Sequence, residues 1–228
     1  VVFDGTDLIQ APKNTPYPAR FPSPYAETKA VAEQLVLDAD EPGGMRTVSL
    51  RPQLMWGPGD PHLVPMIVQK ARKGRLRVVG DGQARVDIIY IDNAAHAHLC
   101  ALSALGEYDA HGDICGAGRA YFITNGEPVV LWRWIEALLD RLGEPAPRGA
   151  VPKVVAANAG RVIESIWRRL GMRHEPPLTE YVALKMATHQ TYDLSPARRD
   201  LGYEPIVGMD EGLEHFVTHQ LSARATSG

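Results

Sequence analysis

The chain of 228 residues carries 24 Lys and Arg against 27 Asp and Glu, a net charge of −3 with the cations scattered rather than striped, so it offers no field that would recruit nucleic acid. Its apolar fraction of 45% beside 22% charged residues is that of an ordinary globular chain, and no apolar run reaches the ~18 residues of a membrane span. Two cysteines, Cys100 and Cys115, are read as reduced thiols of a cytoplasmic protein.

In chain order, Val1 to Phe3 read as the end of a buried strand and Asp4 to Pro24 as a polar, Pro-rich loop. Tyr25 to Ala39 carries a helical pattern with Ala30, Val31, Leu35 and Val36 inward, and Glu41-Pro42-Gly43-Gly44 stops it. Thr47 to Leu50 is a short strand without clean alternation, as expected of a parallel strand covered on both faces. His62 to Arg72 reads as a helix, and Arg77-Val78-Val79 leads into the turn Gly80-Asp81-Gly82. Ile88 to Ile91 is another short strand, and Asn93 to Leu105 a helix capped by Asp92. Ala120 to Thr124 supplies the last core strand and Leu131 to Leu142 the last large helix before the linker Gly143 to Gly149, the strongest boundary signal in the chain. Beyond it, Val151 to Leu170 is helical with Ile163 and Trp167 inward. Ser195 caps a helix that has Pro196 at its first position, and Met209 to Leu221 closes the chain as an amphipathic helix.

The chemistry concentrates in Ser23-Pro24-Tyr25-Ala26-Glu27-Thr28-Lys29. Helical spacing puts Tyr25 and Lys29 one turn apart on one face. A phenol free in water has a pKa of about 10 and is a reluctant acid–base group at neutral pH. A nearby ammonium stabilises the phenolate, which suits proton transfer to or from a carbonyl or alcohol oxygen. The spacing alone also fits a plain surface pair. His62, His96, His98 and His111 have no ligand-type spacing, and His96 and His98 point to different helix faces, so no metal is expected.

The order of motifs carries more than any one of them. The Tyr-Lys helix is followed by a strand ending in Arg51-Pro52, by Trp56-Gly57-Pro58-Gly59-Asp60 and by Gly80-Asp81-Gly82. Asp87-Ile88-Ile89-Tyr90-Ile91-Asp92-Asn93 comes next, and then Tyr121-Phe122-Ile123-Thr124 before Gly126-Glu127-Pro128-Val129. Over nearly the whole chain this resembles the extended short-chain dehydrogenase/reductases. The resemblance implies an α/β fold: the C-terminal part of a Rossmann-type parallel sheet plus a smaller, mainly helical substrate domain. Residues 1–143 would be the remainder of the dinucleotide-binding domain, with a substrate-side insertion at about 60–92, and 144–228 the substrate-binding region. It also implies NAD or NADP as cofactor, Tyr25 as general acid–base, and Lys29 tuning the phenol and bonding the nicotinamide ribose. Pro52, Gln53 and Leu54 would flank the nicotinamide ring, while Arg51 is structural. The family's glycine-rich phosphate turn and its catalytic Ser/Thr have no counterpart here, so the chain is expected to be the C-terminal part of a longer enzyme and inactive by itself.

Two departures point to a branch. Where sugar-nucleotide enzymes of this superfamily carry a polar Asn and a phosphate-facing Arg, this chain has Leu54-Met55-Trp56 and Val86, with Arg85 one residue earlier and facing away. Met55, Trp56 and Arg85 are therefore expected to line an apolar substrate. The pattern is similar to the 3β-hydroxysteroid dehydrogenase-like branch, and Phe122 to Val129 followed by Leu131-Trp132 resembles bacterial reductases of 2-alkyl-3-oxoalkanoates. The expected activity is NAD(P)-dependent interconversion of a secondary alcohol and a ketone on an apolar substrate. The alternatives are a nucleotide-sugar epimerase or dehydratase of the same superfamily and a non-catalytic binding module. The full-length form is expected to be a homodimer. The group Arg161, Arg168, Arg169 and Arg173 leaves peripheral contact with an acidic carrier or a phospholipid surface open.

Overall fold

Short parallel ladders between segments far apart in sequence, covered by helices, make up the chain. The computed structural model describes residues 1–108, 112–172, 174 and 176–226. The longest regular ladder joins β2 (Val48–Pro52) to β7 (Arg119–Ile123), parallel and in register from Val48 opposite Arg119 to Pro52 opposite Ile123. A second sheet has the order β1 (Leu8–Ala11), β10 (Gln190–Tyr192), β5 (Arg85–Val86) and β8 (Val129–Val130), parallel except for the β5–β8 edge. Two-residue parallel ladders join β3 (Met55–Trp56) to β6 (Ile89–Tyr90) and β4 (Val78–Val79) to β9 (Ala150–Val151).

Three apolar clusters hold these elements. In the largest, α2 (Leu63–Arg72), α4 (Leu131–Arg141) and α8 (Met209–Thr226) close around Trp56, which meets Tyr90, Trp134 and Phe216 edge to face at centroid distances of 5.2, 5.0 and 6.4 Å. Buried side chains of this size contribute roughly 1.5–3 kcal/mol each. In the second, the alanine face of α3 (Ile91–Ala104) and the apolar side of α7 (Ser195–Leu201) pack on Tyr121 and Ile123 of β7. The third is small: Val2, Ala11, Phe122 and Tyr192. A fully buried pair locks the first two clusters together. Asn93 donates to the Asn125 side chain (2.9 Å) and to the Val207 carbonyl (2.7 Å), and its own oxygen accepts the Ile206 and Val207 N–H groups.

Several local expectations are corrected. Val1 to Phe3 pair with no strand among the described residues and are held instead by burial of Val2 and Phe3. The loop expected over Asp4 to Pro24 contains β1, whose partner lies some 180 residues away. In α1 (Pro24–Asp38) the inward face is Ala26, Ala30 and Glu33, not Val31, Leu35 and Val36; Leu35 is 65% exposed. Small side chains let that face approach closely, and Glu33 has an ionic partner beneath it. Helix α3 begins at Ile91, so Asp92 lies inside its first turn, where the helix dipole favours a carboxylate, rather than at the cap. Ser195 is likewise already helical: Leu194 holds the cap position without a side-chain bond, and the Ser195 N–H donates to Asp193 Oδ1 at 2.9 Å. Ile163 and Trp167 of α5 (Lys153–Arg169) are half-buried, as is Cys100, and both cysteines are free. Among the described residues no helix is long and apolar enough to cross a membrane.

Candidate functional site

The site is assembled from the start of α1 and the carboxyl end of β2; the short helix α6 (Glu180–Lys185) packs on α5. Ser23 holds extended geometry, and its Oγ accepts the Ala26 N–H at 3.2 Å; Pro24 follows at the first helical position, where the missing N–H costs nothing. This cap delivers Tyr25 in the first turn, 63% exposed, with Lys29 one turn later. The Lys29 Nζ stands 5.8 Å from the Tyr25 ring centroid and has no ion-pair partner among the described residues.

One turn further along α1, Glu33 ties the helix to the sheet. Arg51 donates to it through two nitrogens, Nε to Oε2 at 2.8 Å and Nη2 to Oε1 at 2.6 Å. Tyr17 and Ser49 hydroxyls complete the carboxylate's shell at 2.5 and 2.9 Å. Burial works to raise the Glu33 carboxyl, but these hydrogen bonds outweigh it and hold the group below the usual carboxylate range. Arg51 also reaches the Lys13 carbonyl at 3.2 Å and lies over the Phe122 ring at 5.1 Å. It is a structural clamp between α1 and β2.

Immediately after Arg51 the backbone turns. Pro52 ends β2, Gln53 N–H donates to the Ile123 carbonyl at 3.1 Å, and Leu54 sits at φ = 32°, one of two non-glycine residues with positive φ among the described residues. Strained backbone at the carboxyl end of a parallel strand marks the place where α/β folds receive ligands. Pro52, Gln53 and Leu54 are thus brought to the same end of β2 that the clamp holds beside α1.

The residues expected to line the substrate divide. Met55 is exposed, whereas Trp56 is 1% exposed in the centre of the largest core and presents no surface to a ligand. Arg85 is exposed and donates to the Pro128 carbonyl at 3.3 Å, opposite in direction to the buried Val86. Asp87, two residues on, is buried and accepts the Tyr192 N–H at 2.8 Å; burial pushes its carboxyl up to about 6 against that bond. Of the arginine group, Arg161 is paired with Glu180, Arg168 and Arg169 are exposed, and Arg173 lies outside the described residues, as does His111. Among the described residues no three His, Cys, Asp or Glu side chains are grouped to hold a metal ion.

Helix α6 and what it carries were not foreseen. Its start is signalled by Thr179, whose Oγ1 accepts the Val182 N–H at 3.0 Å. Tyr181 meets Phe3 edge-on at 5.9 Å, and its phenol is pushed up to about 12 by burial and, secondarily, by the nearby Tyr25 phenol. One turn later Lys185 places its Nζ 5.5 Å from the Phe3 ring centroid and 5.8 Å from that of Tyr181, and burial drops its ammonium to about 8.

Comparison with known proteins gives this arrangement its context. Residues 1–152 match the model of the 3-beta hydroxysteroid dehydrogenase/isomerase family. The chain is similar to a 2-alkyl-3-oxoalkanoate reductase of Stenotrophomonas maltophilia, with 48% identity over 201 residues covering 88% of this chain and 59% of that protein. It is 36% identical over 223 residues to 3beta-hydroxysteroid-dehydrogenase/decarboxylase isoform 1 of Arabidopsis thaliana, covering 95% of this chain and 50% of the relative. The chain therefore spans between half and three-fifths of these relatives' length. Among solved structures, a dTDP-glucose 4,6-dehydratase from Streptomyces venezuelae with NAD and TYD bound superposes with a TM-score of 0.64 at 20% identity, over 97% of this chain and 58% of that one. That likeness establishes the Rossmann-type α/β fold.

Proposed function

The chain belongs to the 3-beta hydroxysteroid dehydrogenase/isomerase family, and on that premise we propose that the full-length protein is an NAD(P)-dependent oxidoreductase that interconverts a secondary alcohol and a ketone on an apolar substrate bearing a carboxylate. The observation that carries the reading is the capped first turn of α1, which presents the Tyr25 phenol with the Lys29 ammonium 5.8 Å from its ring. The names of two relatives supply the carboxylate. An alkanoate with an oxo group at carbon 3 has its carboxylate two carbons from the reacting carbonyl, and a decarboxylase acts on a carboxylated substrate.

The residues present fit a nicotinamide cofactor. Lys29 is exposed and has no ion-pair partner among the described residues, so it can take ribose hydroxyls, and Pro52, Gln53 and Leu54 offer a rigid, strained backbone turn at the carboxyl end of β2. The bound nicotinamide supplies the hydride chemistry at the carbinol carbon. In the reducing direction the Tyr25 Oη gives its proton to the oxygen that becomes the alcohol, and in the oxidising direction it takes that proton back. Lys29 is the cation beside that phenol in both directions. Arg51 and Glu33 hold the phenol-bearing helix against the strand whose end turns toward the ring.

Turnover of the full-length protein with a 2-alkyl-3-hydroxyalkanoate, a sterol and a UDP-sugar tests the reading. The expected result is turnover of the hydroxy acid, with Tyr25→Phe lowering kcat by about 10²–10⁴-fold and leaving cofactor affinity intact. Lys29→Met should weaken both, since it serves phenol and ribose alike. Turnover of the UDP-sugar alone would replace this function by a sugar-nucleotide epimerase or dehydratase and undo the argument from Leu54 and Val86.

A further inference from the structure

We propose that the basic turn Lys70–Arg77, together with the apolar groove beside it, is a docking surface for an anionic phospholipid membrane. The inference stands on the surface itself and does not depend on the chemistry proposed for Tyr25.

Five of the eight residues from Lys70 to Arg77 are cationic: Lys70, Arg72, Lys73, Arg75 and Arg77. They end α2 and lead into β4, and the fold fixes the turn from inside. Leu76 is buried in the largest core; its N–H donates to the Lys70 carbonyl at 3.2 Å, and its own carbonyl accepts the Arg148 N–H at 2.9 Å. With Leu76 inward, its neighbours Arg75 and Arg77 are both exposed. Gly74 makes the turn at φ = 61°, and a Cβ there would stand 3.2 Å from Arg148 Nη1, so a further guanidinium lies against it. Two of the cations are committed. Arg72 donates to Glu144 through Nε at 2.8 Å and Nη2 at 2.5 Å, and Lys70 donates to the Pro177 carbonyl at 3.2 Å. Lys73, Arg75, Arg77 and Arg148 are exposed and have no ion-pair partner among the described residues.

The same turn borders a groove of about 410 Å³ between α2 and the ends of α4 and α8. Val64, Pro65, Val68 and Leu142 form its apolar walls, Arg72 and Lys73 also line it, and among the described residues no carboxylate does. A hollow of that size takes a small apolar group, and cations at its border select an anion attached to that group. The charge beside it is spread out: Arg75 and Arg77 lie ~6–7 Å apart along an extended chain, and Arg148 approaches from the segment before β9. A single phosphate cannot meet all of these groups, whereas the headgroups of an anionic leaflet can, with one acyl chain entering the groove. An acidic protein helix or a nucleic acid would match the cations and leave the hollow empty. Each Lys or Arg brought near such a leaflet strengthens binding about fivefold.

Cosedimentation of the full-length protein with vesicles of phosphatidylcholine and phosphatidylglycerol, beside vesicles of phosphatidylcholine alone, tests the surface. The wild type should bind the anionic vesicles, leave them as salt is raised, and ignore the neutral ones. Arg75→Gln/Arg77→Gln should weaken binding about 10–30-fold with an unchanged melting curve. Arg168→Gln/Arg169→Gln removes the same charge from the last turn of α5, ~22 Å along that helix and beyond the reach of screened attraction, and should leave binding nearly unchanged. Val68→Ser leaves the charge alone and should weaken binding about threefold through the groove. Equal losses in the two arginine pairs would reduce the effect to net charge and overturn the surface, as would a wild type that ignores anionic vesicles. Unchanged binding in Val68→Ser with a normal melt would overturn the role of the groove. Retention on an acidic acyl carrier protein without vesicle binding would replace the membrane by a protein partner.

Discussion

Arg51→Met in the full-length protein should cost about 3–5 kcal/mol, because it removes one partner of a buried ion pair and strands the other. Arg51 is 8% and Glu33 6% exposed, and the carboxylate would keep only the Tyr17 and Ser49 hydroxyls as donors. Against a net stability of roughly 5–15 kcal/mol that is a large fraction. The pH dependence follows from the opposing influences on Glu33. Its folded pKa is depressed, so the pair's contribution is complete above the ordinary value of 4.5 and is lost as pH falls through the lower folded value. Without Arg51, burial is no longer outweighed and the carboxyl moves upward. The variant is then penalised most at neutral pH, and its deficit shrinks as acid protonates Glu33. Urea unfolding followed by tryptophan fluorescence at about pH 7 and about pH 5 reads both effects. The double variant Arg51→Met/Glu33→Leu should recover most of the loss, since a well-packed apolar pair replaces a buried ionic one at little cost. A deficit below about 1 kcal/mol, equal deficits at the two pH values, or additive effects in the double variant would each refute the clamp.

Asp87 predicts the opposite slope. Burial raises its carboxyl from 3.8 to about 6, so the folded state holds the proton more tightly and stability falls as pH rises across that interval, by about 3 kcal/mol at ~1.4 kcal/mol per tenfold in proton affinity. Asp87→Asn keeps an oxygen for the Tyr192 N–H and should flatten the stability–pH curve there; an unchanged slope counts against the burial argument. Gly160→Ala should lower the melting temperature by several degrees, an overpacking cost of about 1–3 kcal/mol. A Cβ at that position meets the Glu180 nitrogen and the Thr179 carbonyl carbon at 2.5 Å, backbone atoms that cannot swing aside. An unaltered melt would show that α5 and α6 are not held by this contact.

The parts of the molecule legible in the sequence are those with a local cause. Ser23-Pro24 announces a helix start, and the Tyr25–Lys29 spacing survives because both ends lie in one regular turn. The β2–β7 pair is legible because each partner is a short apolar run flanked by breakers. What stayed hidden depends on partners distant in sequence. Leu8-Ile9-Gln10-Ala11 and Gln190-Thr191-Tyr192 are too short and mixed to read as strands until they meet each other. Glu33 looks like a solvated charge on a helix, and the apolar Val31, Leu35 and Val36 look inward, until Arg51 pulls the other face toward the sheet. Trp56 follows a strand that leads to the site, yet Gly212 of α8 leaves the space for it and Tyr90 to pack inward: a Cβ there would stand 2.9 Å from Tyr90 Cδ2 and 3.3 Å from Trp56 Cη2.

The same long-range pairing explains why Phe3 and Lys185, 182 positions apart, meet at 5.5 Å between ammonium and ring centroid. In the parallel β1–β10 ladder Leu8 stands opposite Gln190, and Phe3 and Lys185 each precede that pair by five residues. Chains running alongside in one direction bring the two segments before the ladder to the same end. The approach is fixed on both sides: Leu8 N–H donates to the His189 carbonyl at 2.8 Å, and His189 N–H donates to Asp7 Oδ1 at 2.8 Å. Gly5, at φ = 100°, turns between them with the Leu184 side chain 3.1 Å from where its Cβ would be, so a larger residue would push the two segments apart. The register of one short ladder thus places an aromatic face from the start of the chain over an ammonium from α6. That geometry has no local sequence signature, because neither residue has a role until the ladder forms.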